Sequence, residues 1–138
     1  MRAWDIYREI LRPARAERLG VRFINQARLP FGHHEDFSRL LTAAPEIPAS
    51  LPQGVSEFLT RTATVDDATD GRVSIALVTQ QFQNQPDQLP LYILDVDVFD
   101  DRGFESMDLI PARFVSLHDR AERTFFEMFT EAGIEVFQ

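Results

Sequence analysis

Two carboxylates offer the first place to look for chemistry. In Tyr92-Ile93-Leu94-Asp95-Val96-Asp97-Val98-Phe99, Asp95 and Asp97 stand two residues apart. Alternate side chains of a strand share one face, and two residues advance by about 7 Å. Carboxylates so placed can hold Mg²⁺ or divide acid and base roles. Asp100, Asp101 and Glu105 extend the acidic run. The competing expectation is cross-strand pairing with Arg22 or Arg28. Pairing is the stronger reading, because a metal site needs further converging ligands.

The histidines are the next candidates. His33 and His34 precede Glu35 and Asp36, a set of good ligand types for a divalent metal. Neighbouring residues do not share a helix face, and acids here would favour the positive end of a following helix. A loop or capping role is therefore expected for both. His118 falls between Phe114 and Ala121 on the last helical pattern, where a half-buried histidine is expected. As a general base it would lack a nucleophile, since none of Ser38, Ser56, Ser74, Ser106 and Ser116 sits in a nucleophile elbow. There is no cysteine, and the six glycines form no phosphate-binding loop. No cofactor is expected. Asn25, on the face of Phe23, reads as a structural hydrogen-bonding residue. With Tyr92 and Arg22 it is also a candidate to line a small pocket, although Arg22 belongs to the opposite face.

The elements that must position these residues follow from periodicity. Trp4, Tyr7, Ile10 and Leu11 recur at helical spacing over residues 3–12, and Pro13 stops the pattern. Residues 21–29 alternate as a strand, with Val21, Phe23 and Leu29 on one side. Arg22, Gln26 and Arg28 take the other, and Ile24 breaks the pattern. Pro30-Phe31-Gly32 ends it. Residues 34–44 carry Phe37, Leu40 and Leu41 at i, i+3, i+4, a second helix. Pro45, Pro48 and Pro52 hold an extended linker. Strands are expected over 55–65, 73–83 and 91–99, the first two joined by a turn at Asp66 to Gly71 with its Asp-Gly signal. A polar loop is expected over 84–90. Tyr92, Leu94, Val96 and Val98 form the core face of the last strand. A helix over 110–132 presents Phe114, Ala121, Phe125 and Met128 as its sheet-covering stripe.

The expected fold is α+β: a four-stranded antiparallel sheet, in the order helix-strand-helix-strand-strand-strand-helix, with helices packed on one face. Residues 1–138 fit a single domain. A content of 44% hydrophobic residues with 12 Phe suffices for a core. The net charge of −8 disfavours nucleic acid, whose phosphates are gripped by basic patches, and disfavours anionic membrane surfaces. No apolar run is long enough for a membrane helix, and the start lacks an apolar signal core. A cytoplasmic protein is expected.

Three segments also carry a resemblance. Arg18 to Asn25, Tyr92 to Phe99 and Phe125 to Thr130, in this order around the Pro-rich stretch, resemble the C-terminal half of a sporadically distributed bacterial conserved family. The resemblance covers essentially the whole chain and implies this fold and a bacterial origin. It implies no activity and no site residues. Longer members carry a further α/β half, so surface which that half covers must here be polar, exposed or covered by another chain.

The aromatic residues supply the functional expectation. Phe125 and Phe129 share a helix face, whereas Phe126 is turned about 100° away. Phe137 adds to this cluster, and Trp4 and Tyr7 repeat the pattern on the first helix. Apolar surface on two sides suggests burial on two sides. The leading expectation is a non-enzymatic binding or assembly module, a homodimer or a protein partner's mate, with Trp4, Tyr7, Phe125, Phe126 and Phe129 at its interface. The alternative is a metal-dependent hydrolase or nuclease-like enzyme using Asp95, Asp97 and His33 or His34.

Overall fold

A computed structural model of the chain describes residues 2–29, 32–67 and 72–136. Along the chain run α1 (Arg2–Leu11), β1 (Leu19–Arg28), α2 (His34–Leu40), β2 (Glu57–Asp67), β3 (Val73–Gln85) and β4 (Gln88–Asp100). A 3₁₀ turn (Met107–Leu109), α3 (Ile110–Glu127) and α4 (Glu131–Glu135) complete it. The strands form one antiparallel sheet in the order β1-β4-β3-β2. β2, β3 and β4 follow one another as an antiparallel meander. β1 reaches the far edge because α2 and the Pro-rich segment carry the chain across to β2.

Alternation decides the two faces. Val21 of β1, Ala76, Val78 and Phe82 of β3, and Tyr92, Leu94, Val96 and Val98 of β4 are buried on one side. The helices pack on that side, with α3 lying on β1 and β4. α2 is pinned by Phe37, whose ring meets Phe82 at 4.6 Å and Phe58 at 5.2 Å. Edge-to-face packing of this kind adds to area burial. α4 crosses the end of α2 so closely that a Cβ on Gly133 would collide with the Leu40 carbonyl oxygen.

Several expectations change. The polar loop expected over 84–90 is mostly strand, closed by a two-residue turn at Pro86 and Asp87. Asp87 has φ +64°, a left-handed conformation that Asp tolerates. The helix expected over 110–132 ends at Glu127, and Thr130 starts α4 by accepting a hydrogen bond from the Gly133 N–H at 3.1 Å. Its buried stripe is Ile110, Arg113, Leu117 and Ala121, with Phe125 and Met128 partly buried, while Phe114 is 45% exposed. The second helix is shorter than expected and β2 starts two residues later. Pro30 and Phe31, the centre of the Asp66 to Gly71 turn, and Phe137 lie outside the described residues.

Arg113 takes a core position because Asp100 lies beneath it. Asp100 is fully buried at the end of β4. Its carboxylate accepts from Arg72 Nε at 2.7 Å, Arg113 Nε at 3.2 Å and the Arg102 backbone N–H at 3.1 Å. Arg113 also donates to the Val73 carbonyl, and Arg72 to that of Gly103 while lying 4.1 Å from the Phe104 ring centroid. All fourteen basic residues of the chain are arginine, whose fork of donors suits this bridging.

Burial alone would raise the Asp100 pKa, but the Arg72 hydrogen bond, the Arg102 N–H and the two positive charges outweigh it and hold it below the ordinary carboxylate range. A depressed folded-state pKa stabilises the fold above the unfolded-state value and loses that contribution as pH falls through the folded value. Asp100→Asn is expected to cost about 3–5 kcal/mol in urea unfolding at neutral pH, by leaving two guanidinium groups short of their counter-charge. The gap between wild type and variant should close as the medium is acidified below about pH 4.

Candidate functional site

The acidic strand holds ion pairs. Asp95 and Asp97 do share the face of β4 opposite the core, as alternation requires. Arg22, on the neighbouring strand, grips Asp95 with Nε at 2.8 Å and Nη2 at 2.6 Å. This bidentate pair, led by its hydrogen bond, raises the Arg22 pKa. Arg18 donates to Asp97 at 2.8 Å and lies 4.2 Å from the Phe99 ring centroid. Arg28 instead contacts Gln85 and the Leu89 carbonyl. The pairing expected for Asp95 is therefore present with Arg22, and Arg18 supplies the partner that sequence reasoning did not name for Asp97.

The histidines do not join the carboxylates. His33 is the N-cap residue of α2 and bridges Gly54, and His34 opens the helix. His118 leaves 48% of its side chain exposed and lies edge-on to Phe23. Among the described residues, one trio of ligand types converges: His118, Asp119 and Glu122, with ligand atoms within 4.8 Å of one another. All three are exposed on α3. Asn25 and Tyr92 do come together around a small cavity with Phe125 and Phe129, while Arg22 stays on the other face. Asn25 Nδ2 points to the Leu94 carbonyl at 3.4 Å, and Tyr92 donates to Gln80 at 2.9 Å. Burial pushes the Tyr92 phenol up, so it remains a neutral donor.

The aromatic residues divide three ways. Phe129 is core, 6.5 Å from Tyr92, and Phe125 is half-buried beside it. Phe126 is exposed, but it stands among Asp119, Glu122, Glu127 and Glu131. Trp4 packs on Phe104, Met107 and Ile110, and Tyr7 stacks on Trp4 at 5.5 Å.

An apolar opening lies between α1 and the start of α3. It is a groove of about 760 Å³ lined by Trp4, Leu19, Ile110, Phe114 and Val115, with Arg18 at its rim. The Trp4 indole nitrogen is buried there without a hydrogen-bond partner. Beside it, α1 exposes Ile6, Tyr7, Ile10 and Leu11. The spacing of Ile6 with Ile10 and of Tyr7 with Leu11 makes one continuous apolar stripe on the helix. α1 is held to the body by Trp4 and by the Arg8–Asp108 pair at 2.8 Å. Sequence reasoning found Trp4 and Tyr7 but missed Phe114 and Val115, because Phe114 was assigned to the buried stripe.

No helix among the described residues is long and apolar enough to cross a membrane. No family model, curated protein or solved structure matches the chain.

With Asp95 and Asp97 engaged by arginine, millimolar Mg²⁺ or Mn²⁺ is expected to leave the melting temperature unchanged. A rise by mass action that vanishes in Asp95→Asn would assign a metal site to this strand.

Proposed function

We propose that this chain is a non-enzymatic binding and assembly module that self-associates as a homodimer through its terminal helices. The observation that carries this reading is the apolar groove beside α1, together with the apolar stripe that α1 itself leaves exposed. The two are complementary in kind: a helix stripe at i, i+4 spacing is what fills such a groove. One patch holds both the groove and the helix that fits it. A two-fold pair therefore buries the same surface on each copy, as an isologous contact requires. The charges agree, because α1 intersperses Asp5 and Glu9 with Arg8. A second copy of the helix meets charges of both signs and no single-sign field.

The weight of the interface thus moves from Phe126 towards Ile6, Tyr7, Ile10, Phe114 and Val115. The alternative, a metal-dependent hydrolase or nuclease-like enzyme built on Asp95 and Asp97, gains nothing from the geometry, since those oxygens already accept from Arg22 and Arg18.

Light scattering coupled to size exclusion is expected to find Ile10→Glu at half the mass of the wild type, with its far-ultraviolet circular dichroism retained. Phe126→Glu should have the smaller effect. A mass unchanged in Ile10→Glu would retire the helix-mediated contact.

A further inference from the structure

The sheet has a second face, and no described helix covers it. Reading the register across the four strands gives five outward rows, from the Gly20, Phe99, Ile75, Val65 row to the Arg28, Leu91, Gln83, Glu57 row. A sheet face turned permanently to water is normally polar, giving strands a clean apolar-in, polar-out alternation. Here nine of these twenty positions are apolar, among them Ile24, Leu59, Val65, Leu77, Ile93 and Phe99. Ile24 is 57% exposed, Leu59 69% and Val65 70%. The strands therefore carry apolar residues towards both sides, the pattern of a sheet buried twice.

The charges on this face set it apart from the rest of the molecule. In the five rows, Arg22, Arg28 and Arg61 balance Glu57, Asp95 and Asp97. The face is formally neutral on a chain whose net charge is −8. Like-charged copies repel one another in general, and this face is a place where two copies meet without that penalty. Its size is also adequate. Four strands at about 4.8 Å and nine residues at about 3.3 Å give a flat area on the order of 600 Å². Pleating and side chains enlarge it towards the roughly 800 Å² per partner of a stable interface.

We infer that the open sheet face is a docking surface for a second copy of this chain, two sheets stacking through Ile24, Leu59, Val65 and Leu77. Stacked sheets pack about 10 Å apart with strands within about 30° of each other. The Arg22–Asp95 and Arg18–Asp97 pairs enter such a contact already neutralised. This contact is distinct from the helix-mediated one, and each stands or falls by its own variant. With both in place, helix-mediated homodimers pair through their open sheet faces into a closed dimer of dimers.

The test is the solution mass of the full chain, wild type against Leu59→Arg, Ile24→Arg, Ile10→Glu and the Leu59→Arg/Ile10→Glu double variant. Far-ultraviolet circular dichroism and melting temperature verify folding in each. These side chains are exposed, so the monomer fold should tolerate the changes. Leu59→Arg and Ile24→Arg are each expected to halve the wild-type mass, as is Ile10→Glu, and the double variant should be a monomer. A mass unmoved by both sheet variants overturns the sheet contact whatever Ile10→Glu does. A mass halved by the sheet variants and unmoved by Ile10→Glu keeps the sheet contact and overturns the helix-mediated one. A monomeric wild type at every concentration overturns both.

Discussion

Asp100 has no contact with water, yet it carries a charge at the last residue of the central strand β4. An isolated buried carboxylate is costly, and its cost falls only when charged donors surround it. Arg72 comes from the residue just before β3, Arg113 from the first turns of α3, and the Arg102 N–H from the chain just beyond the strand. Three segments distant in sequence are thereby fixed relative to one another. The placement of α3 follows, because a helix with Arg113 held over Asp100 must run its next turns, Leu117 and Ala121, over β1 and β4. The α1 groove follows in turn, since Ile110 and Phe114 are presented by that same first stretch of α3.

The position of α3 also leaves part of the sheet uncovered on its inner side. β2 presents Thr60, Thr62 and Thr64 inward, at an edge that α3 reaches through the Arg120 side chain, 3.9 Å from Asp66. The polar residues beneath are matched to one another: Gln80 donates to the Ala43 carbonyl and to Thr60, and receives the Tyr92 hydroxyl. Arg120 takes the Ser74 carbonyl and hydroxyl, and burial lowers its pKa ahead of the opposing pull of Asp66. A satisfied polar seam of this kind borders the apolar core without leaving buried groups unpaired.

Charge and apolar surface are distributed unevenly as a consequence. Acids gather around Phe126 on the outside of α3, while the α1 groove is apolar and the outer sheet face is part apolar and formally neutral. Net acid repels like-charged molecules on one side of the chain, and the neutral surfaces carry no such repulsion.

The sequence by itself determined the main elements and the core side of β1 and β4. Period-two alternation in Tyr92 to Val98 and in Val21 to Leu29 assigns buried and outward residues without reference to anything distant, because a strand's geometry is local. It also placed Asp95 and Asp97 together on one face, and it located the Phe37, Leu40 and Leu41 stripe of α2. Only the tertiary structure decided that β1 neighbours β4, and hence that Arg18 and Arg22 reach the acids of β4. Pairing joins residues about seventy positions apart, which no local pattern encodes. The Asp100 knot was illegible for the same reason. A periodicity argument gives the buried stripe of α3 to Phe114, since an arginine in a core position makes physical sense only once its carboxylate lies beneath it.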